Sequence, residues 1–452
     1  MYTVICVNGI LAIWNTHPKI NNSGDAMNKC LIAGLIGACF AIPAAAETSV
    51  QIYGIADAGV LWQKGGPTKI VSGGADGSRL GFKGTEDIGN GFKAIFNLEA
   101  RVELDTGTQQ PTLINDNRGL YLERGLDALN VFSPALAPAL RNALYVPGTP
   151  SVNPERALFD RTAMVGLITP VGAVLIGRMY TPGYEVFAAA DAFESGMVGT
   201  WGHVTGGTAG FTALGADIRS QESVQYRIAH PSGFGGSLMY GKQGSGYLGR
   251  YSKFQGGAVT YKANGFDLGI GYNQGYDQQG RTSLRTRTVG GSYTLNQFKF
   301  FAGYHDQRNT NSVLIADYLA AWDARIAPAL AAAPAPIRAA ARNTFEGIMR
   351  NNTLTDANSY QVGAHYKLGS GRLMGSYAYQ NDLTPSNSNA SMLAVAYDHF
   401  LSKRTDVYIA ASKIKNEGLA QYSPGIAGSP GGFTPTSGED GRAVQIGVRH
   451  RF

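Results

Sequence analysis

The residues able to do chemistry are few, and most familiar reactions lose their means at once. All three cysteines, Cys6, Cys30 and Cys39, precede Glu47. A chain that starts at Glu47 therefore has no thiol nucleophile, no disulfide and no Cys metal site. Of the seven histidines, His17 is also upstream, and the other six have no metal-like partner at close spacing. No G-x-S-x-G occurs, so no nucleophile elbow is visible. "GIGYNQG" reads as a Gly-rich strand rather than a phosphate loop, because no helix follows it. What remains is charge on alternating stretches. In 77–84, Leu80 and Phe82 share one face, which turns Arg79 and Lys83 to the other. In "ADIRSQESVQYRI", Val224, Tyr226 and Ile228 share a face and Arg219 takes the opposite one. Lys93, Glu99, Arg101 and Glu103 lie on the polar side of 91–104, and Asp57 on that of 48–62. Such a pattern sorts charged solutes; it does not turn them over.

These side chains need strands with one apolar and one polar face. The final segment, "GRAVQIGVRHRF", shows the pattern: Val444, Ile446, Val448, His450 and Phe452 alternate with Ala443, Gln445, Gly447, Arg449 and Arg451. Sixteen such stretches run from 48–62 to 442–452. Every second connection is tight: "EDIGNG", "TPVG", "HPSG", "KANG", "TLNQ", "KLGSG" and "HFLSK". The others are long: 63–76, 105–156, 179–216, 243–252, 276–284, 307–356, 381–390 and 413–441. Short turns at one end and long loops at the other predict a 16-stranded antiparallel transmembrane β-barrel, with periplasmic turns and extracellular loops. Closure pairs every backbone group, the condition for spanning lipid with strands. A secreted soluble β-sandwich or solenoid suits the 60 glycines and 23 tyrosines but not the strict short–long alternation.

Composition agrees. Charged residues are 15% of the chain, against about 25% in ordinary soluble domains. Mean hydropathy is −0.11, which excludes a bundle of transmembrane helices. A secretion signal is expected at Met27–Ala46: Lys29, the apolar "CLIAGLIGACFAI", and Ala44-x-Ala46 before cleavage at Glu47. Residues 1–26 then form an upstream segment, and a lipoprotein signal acylated at Cys39 is the rival. Cleavage takes the formal charge from +6 to +5, read as lumen charge rather than nucleic-acid binding. Two long loops have helical spacing, in "GLYLERGLDALNVFSPALAPALRNALY" and "VLIADYLAAWDARIAPALAAAPAPIRAAARNTFEGIMR". Such amphipathic pieces either fold onto the barrel rim or present a partner-binding face.

The segments "SVQIYGIADAGV", "SRLGFKGTEDIGNGFKAIFNLE", "FDRTAMVGL", "IGRMYTPGYEVF" and the closing "GVRHRF" resemble Gram-negative general diffusion porins of the β-proteobacterial kind. The resemblance covers essentially 47–452, with the two helical loops departing from it. It implies a water-filled channel, usually a homotrimer, in the outer membrane among lipid and lipopolysaccharide, with no enzyme activity and no cofactor. It implies that loop 179–216 folds into the pore, eased by Ala188, Ala189, Ala190, Gly196 and Gly199. Arg161 matches the family's wall arginine, joining Arg79 and Arg219 in a basic cluster. Asp191 and Glu194 stand where the family carries its acidic constriction residues, though "AFESG" replaces the usual "PEFG", so the loop acid is either one. A final Phe452 resembles the signal read by the barrel-assembly machinery. Three functions compete: a general diffusion porin for small hydrophilic solutes with weak anion preference, a substrate-specific channel narrowed by its long loops, or a surface interaction protein acting through them.

Overall fold

A computed structural model describes residues 49–109, 123–144, 153, 157–205, 218–246, 249–427 and 431–452. The expected signal segment and the Glu47 cleavage point lie outside the described residues. The strands are β1 (Ser49–Gln63), β2 (Lys69–Ser72), β3 (Arg79–Gly89), β4 (Phe92–Arg101), β5 (Thr162–Thr169), β6 (Gly172–Tyr180), β7 (Arg219–Ala229), β8 (Phe234–Gly246) and β9 (Lys253–Ala263). They continue as β10 (Phe266–Tyr276), β11 (Thr282–Leu295), β12 (Phe298–Asn309), β13 (Thr355–Leu368), β14 (Gly371–Asp382), β15 (Ala390–Phe400), β16 (Thr405–Asn416) and β17 (Gly441–Arg451). All neighbours pair antiparallel, and β1 closes on β17 from Ile55↔Arg451 to Gln63↔Ala443. Both β2 and β3 pair with β1, so they are two pieces of one stave and the barrel has sixteen.

The break at 73–78 is built by a carboxylate. Asp57, on β1, accepts N–H bonds from Gly74, Ala75 and Asp76 at 3.2, 2.8 and 2.7 Å, and a hydroxyl from Tyr408 at 2.6 Å. Asp57 does face inward, but it is fully buried. It holds the interrupted stave rather than tempering the charge of the lumen.

Alternation sorts the two faces. On β17, Val444, Ile446 and Val448 are exposed to the lipid side, while Ala443, Gln445 and Arg449 are buried inside. The tight turns have the expected chemistry. Asn264 and Gly265 connect the pair Ala263↔Phe266 with φ of 53° and 82°, the positive values a two-residue hairpin of matching twist requires.

Among the described residues four α-helices lie in loops: α1 (Leu136–Leu144), α2 (Pro182–Ala190), α3 (Ile315–Arg325) and α4 (Ala335–Thr353). The two helical loops pack on each other. Leu126, Leu129 and Leu140 from one meet Trp322, Phe345 and Met349 from the other in a separate core, with Trp322 stacked on Phe345 at 4.9 Å. Each apolar stripe is covered by its neighbour. This helical cap is tied to the rim: Asn352 donates to the Arg124 carbonyl, Arg124 reaches Gln421, and Arg250 pairs with Asp317 at 3.4 Å.

Candidate functional site in the lumen

The loop after β6 turns into the barrel as α2. Thr181 caps it, its hydroxyl accepting the Tyr184 N–H at 3.3 Å, and Pro182 starts the first turn. The helix lies against β10 and β11, where glycines leave room. A Cβ on Gly271 would fall 2.8 Å from the Cα of Gly183, and one on Gly290, on β11, would meet the Ala190 Cβ at 3.0 Å. The Gly-rich "GIGYNQG" is thus a bed for the loop helix. Ala190 and Gly196 pack against the wall and the first loop, whereas Ala188 and Ala189 line the lumen. Phe187 stacks on Trp201 at 4.6 Å, and both rings meet His305 edge-on.

The three arginines converge. Arg161 donates to Glu99 at 2.6 Å and Arg79 lies 4.0 Å from the same carboxylate. Arg161 and Arg219 both donate to the Tyr180 hydroxyl, at 3.3 and 2.7 Å, and Arg219 also covers the Tyr180 ring at 4.3 Å. Lys83 does not join them. It faces inward but is exposed, its Nζ 5.0 Å from the Tyr53 ring, and it lies outside the cavity the arginines line. Its position four residues from Arg79, toward the short-turn end, removes it from the constriction.

Asp191 requires a correction. It is fully buried and lines no lumen surface. Its oxygens take the N–H groups of Phe193, Ser195 and Trp201 at 2.9, 3.0 and 3.2 Å, the Thr200 hydroxyl, and Gln361 at 3.3 Å. Burial pushes its carboxyl above the usual range, with the Thr200 and N–H bonds pulling back. The residue shapes the loop tip. Around it Glu194, Ser195 and Met197 hold φ of 54°, 61° and 54°, a costly conformation for side-chain-bearing residues.

Glu194 does line the cavity, but its charge is spent. Both oxygens accept from Arg372 at 2.9 Å in a bidentate pair. Burial alone would raise its pKa; the Arg372 bonds and charge, with His365 and Lys299, outweigh that and hold it at about 2. Burial lowers His203, on the same loop, to about 4, so it is neutral at pH 7.

Sequence reasoning missed the rest of the ring. Arg372 also binds Asp398 at 3.1 Å, and Arg449 reaches Asp398 at 3.3 Å, Asp406 at 2.9 Å and Asp76 at 3.1 Å. Asp76 in turn pairs with Arg79 at 3.1 Å. Charge contacts therefore run unbroken from Glu194 through Arg372, Asp398, Arg449, Asp76, Arg79, Glu99, Arg161 and Tyr180 to Arg219. Strand parity was the available signal: Leu373 and Tyr377 point out, which turns Arg372 in. The loop and this wall enclose a cavity of about 870 Å³, lined by six basic residues (Arg79, Arg101, Arg161, Arg219, Arg227, Lys262) and four acidic ones (Asp76, Glu185, Glu194, Asp267). Among the described residues no group of three or more His, Cys, Asp or Glu is placed to hold a metal ion.

A closed barrel with an inward loop and charged walls has the geometry of a diffusion channel. The family model for Gram-negative porins matches residues 33–419. The chain belongs to the Gram-negative porins. This porin is similar to an outer membrane porin protein of Bordetella pertussis, 25% identical over 94% of this chain and 100% of that one. It is similar to the same degree and with the same coverage to outer membrane porin protein 32 of Delftia acidovorans. Among solved structures, an anion-selective porin from Comamonas acidovorans superposes with a TM-score of 0.61 at 22% identity, over 90% of this chain and 100% of that one. The trimer form of OmpT, an outer membrane protein of Vibrio cholerae, gives 0.55 at 15%, over 90% and 99%. Those two likenesses carry the fold. The protein is an outer-membrane barrel channel of Gram-negative type, and its family works by conduction rather than catalysis.

Proposed function

We propose that this porin passes small hydrophilic solutes by diffusion, prefers anions, acts as a homotrimer and has no enzymatic activity. One observation carries the preference: Arg79, Arg161 and Arg219 converge on the lumen while the three loop carboxylates are engaged, Asp191 by the loop, Glu194 by Arg372 and Glu185 by Arg227. Six basic against four acidic residues leave the cavity positive. Low-dielectric walls focus that field on the passing ion, and guanidinium groups keep their charge when crowded. The anion-selective Comamonas porin supports the reading by analogy.

The test is a reversal potential across a planar bilayer under a salt gradient. Wild type should select anions. Changing Arg79, Arg161 and Arg219 together to Ser should move the potential toward cations and raise single-channel conductance slightly, because bulk is lost. Wild-type selectivity in that variant at low salt would show that these side chains do not control passage. The helical cap at the long-loop end supports a second reading, a substrate-specific channel. Conductance that saturates with one solute would mark it.

A further inference from the structure

The last long loop, between β16 and β17, turns into the barrel and is pinned there from three sides. Gln63, on β1, shares its Nε2 hydrogens among the Ser423 hydroxyl and the Pro424 and Gly431 carbonyls, at 2.8, 2.7 and 2.9 Å. The Gly74 carbonyl, in the first loop, accepts the N–H groups of both Met197 and Ala427, at 2.8 and 3.2 Å. His203, in the loop after β6, accepts the Gly425 N–H at 3.2 Å. Ser423, Ala427 and Gly432 thereby line the same cavity as the arginines. A Cβ placed on Gly77 would lie 3.0 Å from Arg161 Nη1 and 3.8 Å from the Ala427 carbonyl oxygen, so the loop runs beside the basic wall.

This loop brings no charge. Residues 418–438 contain no Asp, Glu, Lys, Arg or His. The four acids that line the cavity are engaged: Asp76 by Arg79 and Arg449, Glu185 by Arg227, Glu194 by Arg372, and Asp267 by Lys262 at 2.8 Å. Of the six basic residues, Arg79, Arg101, Arg161, Arg227 and Lys262 each hold a carboxylate. Among the described residues none pairs with Arg219 as a carboxylate. Its partners are the hydroxyl and the ring of Tyr180, and its buried Nε has no hydrogen-bond acceptor. A guanidinium in that state is matched to a planar carboxylate, which accepts two parallel bonds from it.

Opposed walls of basic and acidic side chains orient dipolar solutes. A single unpaired guanidinium near a charge-free loop does something else. It holds one negative charge and leaves the rest of the solute against small side chains: Ala188 and Ala189 of α2, and Ala427. A hydroxyl placed there gives up water without gaining a partner, whereas a methyl group loses nothing.

We propose that the channel favours organic monoanions with a compact apolar body, the carboxylate seated on Arg219 and the body passing against Ala188, Ala189 and Ala427. This rests on the anion-preferring reading above and names the class of solute.

The test uses the full barrel in a planar bilayer. Lactate is isobutyrate with a hydroxyl in place of one methyl, so the two anions share size and charge. With potassium isobutyrate on one side and potassium lactate on the other, the reversal potential gives the ratio of their permeabilities. Isobutyrate should be about threefold the more permeant. Ala427→Val should raise the ratio and its isostere Ala427→Thr should lower it. Arg219→Gln should cut the permeability of both anions about tenfold, and Arg79→Gln should cut it less. Ala427→Cys puts the sole thiol into a chain that starts at Glu47, and a charged methanethiosulfonate should reduce its current. Migration as a folded barrel on an unheated gel certifies each variant. A wild type that prefers potassium to chloride overturns the anion reading and this inference with it. An anion-selective wild type with a ratio of one overturns this inference alone. So do Val and Thr variants that shift the ratio the same way, Arg79→Gln matching Arg219→Gln, or a Cys variant whose current the reagent leaves unchanged.

Discussion

Two loop carboxylates three residues apart have opposite roles. Glu194 faces Arg372, so Glu194→Gln should leave Arg372 with Asp398 as its carboxylate partner, remove one negative charge from the lumen and move the reversal potential further toward anions. Asp191 faces four donors of its own loop and, as a fifth, Gln361. Asp191→Asn should instead loosen the loop tip, seen as current noise and subconductance states rather than a clean selectivity shift. A selectivity shift equal to that of Glu194→Gln would place Asp191 in the lumen after all. The pH dependence follows from the depressed Glu194 pKa. An unpaired carboxyl of this kind titrates near 4.5, and the paired one at about 2. The pair's contribution is therefore intact above about pH 4.5 and is lost as pH falls through about 2. Selectivity tracked from pH 5 downward should carry a step near pH 2 that Glu194→Gln lacks.

At the scale of elements, the closing strand and the helical cap make separate predictions. Gly54 and Phe452 exchange both backbone hydrogen bonds at 3.1 Å, and the Phe452 ring lies over Gly54, where a Cβ would come within 2.4 Å of it. We propose that assembly reads the exposed Phe452 ring on the lipid face, so its deletion should lower the amount of heat-resistant barrel in the outer membrane. Gly54→Val, which displaces the ring while keeping the residue, should do the same more weakly. Normal yield from the deletion would sink the idea. The cap has its own core, so Phe345→Ala should cost it about 3–5 kcal/mol while leaving the barrel whole. Limited proteolysis should then cut within 307–356, with conductance retained. A barrel that fails to assemble would mean the cap is part of its folding unit.

For the whole molecule, the proposed role of the arginines is exerted through a field, and salt sets the reach of a field. The Debye length falls from about 10 Å at 0.1 M to about 3 Å at 1 M. Anion preference should decline over that range, and the difference between wild type and the triple Arg→Ser variant should shrink with it. Selectivity independent of salt would point to a steric filter. The mature chain is proposed to begin at Glu47, and mass analysis of the purified protein checks this. A lipidated Cys39 or retained residues 1–26 would overturn it.

Alternation and turn chemistry carried the barrel unaided. Val444, Ile446 and Val448 can share a face only in a strand, and Asn264-Gly265 suits a two-residue hairpin. Inward parity is a local property, so Arg79, Lys83 and Arg219 could be turned toward the lumen one strand at a time. Height within the barrel is not local. It depends on stagger between staves, and that put Lys83 apart from the arginines although it shares their face. Nor does sequence say what a carboxylate meets. Asp57 and Asp191 are bound by backbone N–H groups of loops that any residue types supply, and only the folded loops brought those donors within about 3 Å. Arg372 and Arg449 come from strands distant in the chain from Glu194 and Asp76. Their pairings, and with them the choice of which charges stay free to meet a solute, were decided by closure of the barrel around an inward loop.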